Sequence, residues 1–446
     1  MKYGERAADG GTAANVLDMN AADGGTSRKR LISSLRQCKT GEEVSRLVLC
    51  IGELKTAKEC NMISQAWGRA NHWQRTLSML AQMEQNGIAP DAYSFSAAMC
   101  ACQRAGEQEQ VLALLAQMKA RGLHPNQVCV RVAAVSFSAR ISACEKVGEW
   151  VRAQSLLTEM REAGVPPDAV CFNSALSACA KGQQWQRALQ LLADMRQEGV
   201  PPNVRSYNAA ISACEKAGEW EQALSLLGEM GEAAMKADTI AFNSAISACG
   251  KGGQWERALS LLAEMRRQGV TLTVVSFNAA IAACAKVGQY ERAVAMLDEM
   301  RSAGIDPDLV SFNSLLVACA EVGRWERSLS LLGEMRSAGL QPDVASMHAT
   351  MRALVATSQL DAGFELLRTS QLAATSFVVH SVLLAACRCA GDARADGLQA
   401  QMLRSGLSRE VAALVRVVID GEEVTLTSGY NGAESRALDG AVKKLF

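Results

Sequence analysis

Ala169–Asn203 reads AVCFNSALSACAKGQQWQRALQLLADMRQEGVPPN, and Val204–Asp238 repeats it nearly in register as VRSYNAAISACEKAGEWEQALSLLGEMGEAAMKAD. A fixed period of 35 residues marks a stack of identical supersecondary units. Each unit divides into two apolar-periodic parts. The first runs from about Phe172 to Lys181 and spaces Ala175, Ala178 and Cys179 helically. The second runs from about Trp185 to Gln197 and sets Ala188, Leu191, Leu192 and Met195 on one face. Gly199 stops it, and Pro201-Pro202 bar its continuation. The unit is therefore predicted to be a helical hairpin. One hairpin cannot bury its own apolar faces, so the units must stack into an all-α solenoid.

Outward from this stretch, clear units occupy 57–91, 92–126, 134–168, 169–203, 204–238, 239–273, 274–308 and 309–343. A seven-residue insertion at 127–133, Gln127–Ala133, interrupts them and is expected to bulge between units. Residues 1–27 hold AADGGT twice and read as disordered and low-complexity. Their four acidic residues make a poor organelle transit peptide. The segment 28–56 reads as a degenerate unit or N-terminal cap, and 344–408 as two degenerate units or a C-terminal cap. The appendage 409–446 includes VVIDGEEVTLTSGY, whose alternation suggests a short hairpin.

The chain has 446 residues, 49% of them hydrophobic and 21% charged, which suits a folded soluble protein. Lys+Arg and Asp+Glu are equal at 46 each, so net charge advertises no nucleic-acid partner, although a local basic stripe stays possible. No stretch approaches the apolar length of a membrane span. Seven of the 15 cysteines recur at one place: Cys102, Cys144, Cys179, Cys214, Cys249, Cys284 and Cys319. One thiol per unit on an apolar helix face reads as a small core residue. Trp73, Trp150, Trp185, Trp220, Trp255 and Trp325 open the second helix, with Tyr290 in a seventh unit, and read as packing against the neighbouring unit. The recurrent Met195 and its equivalents read as interior filler.

Three polar rows fit packing poorly. The fifth residue of each unit is Asn61, Ser96, Ser138, Asn173, Asn208, Asn243, Asn278 or Asn313. The last is Asp91, Asn126, Asp168, Asn203, Asp238, Thr273, Asp308 or Asp343. The thirteenth is basic seven times running, at Arg69, Arg104, Lys146, Lys181, Lys216, Lys251 and Lys286. Amides and carboxylates spaced once per unit suit Watson–Crick edges, and the basic row suits phosphates. The local reading is that junction Asp and early Asn or Ser cap helices and that the Lys row is solvated. Periodicity leaves both open, with capping slightly ahead.

The pattern F-N-S-A-[IL]-S-A-C-x-K-x-G-x-W-x-x-A-L-x-L-L-x-x-M-x-x-x-G-x-x-P-[DN] resembles the pentatricopeptide repeat family. The resemblance is strong over 57–343 and weak to about 408. It differs from the tetratricopeptide pattern, whose 34-residue unit opens W-x2-L-G-x2-Y. The resemblance implies a right-handed α-solenoid that binds single-stranded RNA, one base per unit, through the fifth and last residues. Carried over residue by residue, Asn61/Asp91 implies U, Ser96/Asn126 A, Ser138/Asp168 G, Asn173/Asn203 C and Asn208/Asp238 U. Asn243/Thr273 is ambiguous, and Asn278/Asp308 and Asn313/Asp343 each imply U, giving 5′-UAGCUNUU-3′. The family also wedges an aliphatic second residue between bases, matched by Val135, Val170, Ile240, Val275 and Val310; Lys58, Tyr93 and Arg205 depart. The basic row would meet phosphate. The insertion puts register between Asn126 and Ser138 in doubt, and Glu321 replaces the basic residue in the unit at 309–343.

No His is followed two residues on by Glu, and there is no C-x-x-C, so a zinc deaminase is not expected. The expectation is no catalysis, no metal and no cofactor. Expected partners are single-stranded RNA and other RNA-processing proteins, with a monomeric chain, no membrane, and action by occupancy in a chloroplast or mitochondrion, as the family implies. The alternative is a protein-binding helical scaffold, which the neutral charge favours.

Overall fold

A computed structural model of the chain describes residues 24–369, 377–404, 416–419 and 422–425. The described residues form 22 α-helices and one two-stranded hairpin. The chain divides between Ala213 and Cys214 into two compact bodies. The N-terminal body contains α1 (Gly24–Ser34), α2 (Gly41–Ile51), α3 (Ala57–Arg69), α4 (Trp73–Gln85), α5 (Ala92–Ala105), α6 (Gln108–Ala120), α7 (Gln127–Val147), α8 (Trp150–Glu162), α9 (Ala169–Lys181) and α10 (Trp185–Gln197). The division falls within α11 (Val204–Ala217). The C-terminal body continues with α12 (Trp220–Glu232), α13 (Thr239–Lys251), α14 (Trp255–Arg267), α15 (Val274–Lys286), α16 (Tyr290–Ser302), α17 (Leu309–Val322) and α18 (Trp325–Ser337). It then has α19 (Val344–Ala356), α20 (Leu360–Thr369), α21 (Phe377–Cys389) and α22 (Arg394–Arg404). Strand β1 (Arg416–Ile419) pairs antiparallel with β2 (Glu422–Thr425), as the alternation there suggested.

Each repeat is the expected hairpin. Its first helix starts on a side-chain cap, whereas its second starts with none, at Trp or Tyr in every repeat but 92–126, where it starts at Gln108. The turn between them is closed by backbone alone. Gln184 N–H donates to the Cys179 carbonyl at 2.9 Å, and Gln254 N–H to that of Cys249 at 2.8 Å. These bonds reach back over a turn to satisfy the orphan carbonyls at a helix end. The second helix ends on a left-handed residue, Gly199 at φ 73° in one repeat. In the repeat 204–238 that place falls to Ala234 at φ 54°, where a Cβ costs energy that glycine avoids.

The seven recurrent cysteines are free and buried, as core residues. Burial pushes the thiols of Cys102, Cys179, Cys214, Cys249 and Cys284 up to about 11. The tryptophans also pack as expected against the next hairpin. A Cβ on Gly182 would lie 2.4 Å from Trp150 Cδ1, and one on Gly252 would lie 2.2 Å from Trp220 Cδ1. Backbone that passes this close under an indole leaves no room for a side chain. Met195, Met265, Met300 and Met335 are each fully buried.

Two expectations need correction. Helix α1 begins at Gly24, four residues inside the stretch read as disordered; residues 1–23 lie outside the described residues. The insertion 127–133 does not bulge: it is the opening two turns of α7, which runs 21 residues where the repeats' other first helices run 13 or 14. QVCVRVA contains neither Gly nor Pro, and Asn126 caps its start by accepting from Cys129 N–H at 2.9 Å. Cys129, Val132 and Ala133 are buried, so packing overrides the weak helix propensity of its valines.

Two substitutions should act in opposite directions in urea unfolding. Gly252→Ala should destabilise by about 1–3 kcal/mol through the clash with Trp220. Ala234→Gly should stabilise by about 0.5–1 kcal/mol by releasing the left-handed strain. Equal and small effects from both would contradict the packing and the backbone geometry together.

Candidate nucleic-acid interface

The last residue of each repeat is the N-cap of the next first helix. In the N-terminal body, Ser94 N–H donates to Asp91 Oδ1 (2.8 Å) and Cys171 N–H to Asp168 Oδ1 (2.9 Å). Ser206 N–H donates to Asn203 Oδ1 (3.1 Å). In the C-terminal body, Ala241 N–H donates to Asp238 Oδ1 (2.9 Å) and Ser276 N–H to Thr273 Oγ1 (3.4 Å). Asp308 and Asp343 accept in the same way from Ser311 and Ser346, both at 2.9 Å. The capping reading of this row is therefore correct as local structure.

The fifth residue joins the same network. Asn61 Nδ2 donates to Asp91 Oδ1 at 3.0 Å, and Asn173 Nδ2 to Asn203 Oδ1 at 3.5 Å. Asn278 Nδ2 donates to Asp308 Oδ1 at 3.0 Å, and Asn313 Nδ2 to Asp343 Oδ1 at 3.2 Å. A serine at the third place of the following helix completes the group. Ser206 Oγ donates to Asn173 Oδ1 (2.6 Å), Ser311 Oγ to Asn278 Oδ1 (2.5 Å) and Ser346 Oγ to Asn313 Oδ1 (2.6 Å). Sequence reasoning missed these serines. Their signal was the recurrence of Ser two places before the fifth residue, at Ser94, Ser136, Ser206, Ser276, Ser311 and Ser346.

The network holds the amides of Asn173, Asn278 and Asn313 in one orientation, because the nitrogen faces the cap and the oxygen faces the serine. It uses only part of each group's capacity. Asp91 and Asp308 accept these bonds through Oδ1, which leaves Oδ2 outside the network. Asn203 likewise accepts through Oδ1 and leaves its Nδ2 outside. Each fixed amide keeps a second N–H and a second lone pair. Capping and binding an edge from outside are thus compatible, since they engage different atoms.

The remaining pairs differ. Ser96 Oγ donates to the Tyr93 carbonyl (3.0 Å) and Asn126 Nδ2 to the Ala92 carbonyl (3.3 Å), so both turn to the backbone of α5. Ser138 is half-buried on α7, Asn208 half-buried on α11 and Asn243 half-buried on α13. The Oδ1 atoms of Asn61 and Asn243 are buried and accept no hydrogen bond within the described residues.

Val135, Val170, Ile240, Val275 and Val310 are 49%, 56%, 60%, 61% and 55% exposed. An aliphatic side chain this open at the same place in five of the eight first helices makes an apolar set beside the polar network. Lys58, Tyr93 and Arg205 stand at the same place and are exposed. Arg205 lies 3.9 Å from Glu145.

The seven basic residues are all exposed, eleven residues beyond the aliphatic position. Eleven residues make just over three full turns, so the two rows share a side of each helix, about 16 Å apart. The basic side chains also have local work. Arg69 Nη2 donates to the Leu35 carbonyl (2.7 Å), Lys181 Nζ to that of Lys146 (3.4 Å), and Lys286 Nζ to that of Lys251 (2.5 Å). Lys251 pairs with Glu215 at 3.2 Å. A cation at a helix C-terminus offsets the negative end of its dipole. Arg104, Lys146 and Lys216 are exposed near the ends of α5, α7 and α11.

Among the described residues, no three His, Cys, Asp or Glu side chains group as a metal site. No described helix is long and apolar enough to cross a membrane.

The family model for the pentatricopeptide repeat domain matches residues 78–144, 128–182, 155–217, 190–252 and 260–322. The PPR repeat family model matches 237–279, and that of the PPR repeat 310–340. No curated protein matches the chain significantly. Among solved structures, the chain is similar to maize PPR10 in complex with an 18-nt psaJ RNA element, at 22% identity and TM-score 0.43, over 90% of this chain and 68% of that one. It is similar to the PPR domain of Arabidopsis thaliana protein-only RNase P 1 in complex with tRNA, at 16% identity and TM-score 0.36, over 40% and 94%. It is also similar to yeast Rmd9p in complex with a 16-nt target RNA, at 10% identity and TM-score 0.27, over 91% and 98%.

The caps make a pH prediction. Burial pushes the Asp308 carboxyl up, but donation from Ser311 N–H, the Asn278 amide and the Ser311 hydroxyl outweighs it and leaves the group below its ordinary 3.8. Asp91 and Asp343 are lowered in the same way. A lowered carboxyl contributes stability that is complete above the ordinary value and is lost as pH falls through the folded value. Stability should therefore decline below about pH 4 as these caps protonate. The triple variant Asp91→Asn/Asp308→Asn/Asp343→Asn should show a shallower acid limb in urea unfolding at stepped pH. An unchanged limb would mean that the caps are not coupled to folding.

Proposed function

The chain belongs to the pentatricopeptide repeat family, and from that premise we propose that it binds single-stranded RNA, one base to each repeat, as a sequence-selective protein of organelle transcripts. The observation that carries the reading is the division of labour at the repeat junction. One oxygen of the capping residue serves the helix, and the other terminal atom stays available to a base.

The chemistry of the available atom then sets the base. Uracil presents N3–H, a donor, and the second carboxylate oxygen of Asp308 is an acceptor. Cytosine presents N3 as an acceptor, and the Nδ2 of Asn203 is a donor. The fixed amide at the fifth place offers one donor and one acceptor to the rest of the pyrimidine edge. Val170, Ile240, Val275 and Val310 supply apolar surface against base faces, and the basic row supplies charge to the phosphates. The fifth- and last-residue pairs give 5′-UAGCUNUU-3′ in this reading, with the six bases from Ser138/Asp168 onward as GCUNUU. Lacking a carboxylate or amide cap, Asn243/Thr273 is assigned no single pyrimidine.

The proposed mode of action is occupancy. A bound chain blocks an exonuclease or keeps the RNA out of a hairpin that masks a processing or start site. The proposed site of action is a chloroplast or mitochondrion, with the monomer as the working form and other RNA-processing proteins acting on the exposed transcript.

Binding of 5′-GCUCUU-3′ against a scrambled hexamer, across a salt series, tests the reading. The intended RNA should bind more tightly, and Asn203→Asp should shift preference to 5′-GUUCUU-3′. Equal affinity for both RNAs with a steep salt slope would leave only the basic row in action. Absence of binding at low salt would sink the RNA reading in favour of a protein-binding scaffold.

A further inference from the structure

Helix α7 meets its two neighbours at different heights. Asn126 and Cys129, at its N-terminus, reach the Ala92 carbonyl at 3.3 and 3.9 Å, so the first turns of α7 and α5 lie side by side. Helix α9 lies beside the later part of α7. There the Ser142 and Ser174 hydroxyls are 3.1 Å apart, and Lys181 Nζ is 3.4 Å from the Lys146 carbonyl. The stack therefore steps along the helix axis by the seven inserted residues. At the rise of an α-helix this is about 10.5 Å.

Seven residues fall only about 20° short of two full turns. Val128 and Arg131 thus stand on α7 in line with Val135 and Ser138, two turns nearer the N-terminus. Val128 is 36% exposed, and Arg131 is exposed. This strip of α7 extends past the start of α9 and, with Val165 and Pro166, walls an open cleft of about 380 Å³.

We propose that this cleft holds one unread nucleotide, so that the RNA target is bipartite: UA, one base of any identity, then GCUNUU. The inference rests on the RNA reading above and adds the spacing. Packed helices lie about 9 Å apart, and with the axial step the path between the second and third reading positions lengthens to about 14 Å. That is half again the ordinary step. Val128 offers the spacer base an aliphatic surface. Arg131 occupies the fifth-residue place of this first turn, but the next cap, Asp168, belongs to α9, whose Cys171 lies against Ser138 instead. A guanidinium without a capping partner binds phosphate rather than discriminating a base.

The test uses the full chain and three labelled RNAs: 5′-UAGCUCUU-3′, the same with one random base after UA, and the same with two. The one-base spacer should bind tightest, about tenfold over the contiguous RNA, the lower range for gaining a stacked base. Arg131→Ala should weaken the spaced RNA and lower its salt slope by about one. Deleting residues 127–133 places Asn126 directly before Ala134, restores the regular period, and should move the preference to the contiguous RNA. Tightest binding of the contiguous RNA by the unaltered chain overturns the proposal, whether or not the deletion variant folds. In that case 5′-GCUCUU-3′ still preferred over its scramble preserves the RNA reading, and loss of that preference removes both.

Discussion

A side-chain oxygen that accepts the free N–H groups at the start of each first helix is the interaction on which the rest depends. Without it, the first helix would open on unsatisfied donors at the most crowded junction of the repeat. Because the cap is Asp or Asn in seven of eight repeats, those seven junctions also carry a second polar side-chain atom beyond the one that caps the helix. In the proposed reading, stability and recognition draw on one residue without competing for the same atom. The serine and asparagine around it hold the group in one orientation, which lowers the ordering cost of any contact made from outside.

The apolar rows divide along the same line. Cysteine, tryptophan and methionine also recur, yet they are packed: the recurrent thiols are buried, and the indoles of Trp150 and Trp220 lie against Gly182 and Gly252 of the next hairpin. Recurrence alone does not separate a core row from an open row. Exposure does. The aliphatic row at Val170, Ile240, Val275 and Val310 stays more than half open, where a core row is closed.

The fold was legible because a 35-residue period with a helical hairpin inside it allows few alternatives. The fifth and last residues were legible as special positions, though periodicity could not choose between cap and contact; the coordinates show the capping bonds of Asp91, Asp308 and Asn203. The serine at the third place was passed over because a small residue early in a helix carries little signal of its own. Its meaning comes from the asparagine of the preceding repeat, 33 residues away. The insertion was misread because a break in a sequence period looks like a break in structure. Seven residues are nearly two helical turns, so the helix runs through unbroken and only its neighbours shift.

The sequence by itself determined the hairpin, its length, its caps and its core, because those follow from local spacing and from the need to satisfy backbone groups and bury one face. Only the tertiary structure decided which atom of each cap is spoken for, which recurrent rows are open, and where along α7 each neighbour sits. Those depend on contacts between helices a full repeat apart, and no local rule of propensity or period carries that information.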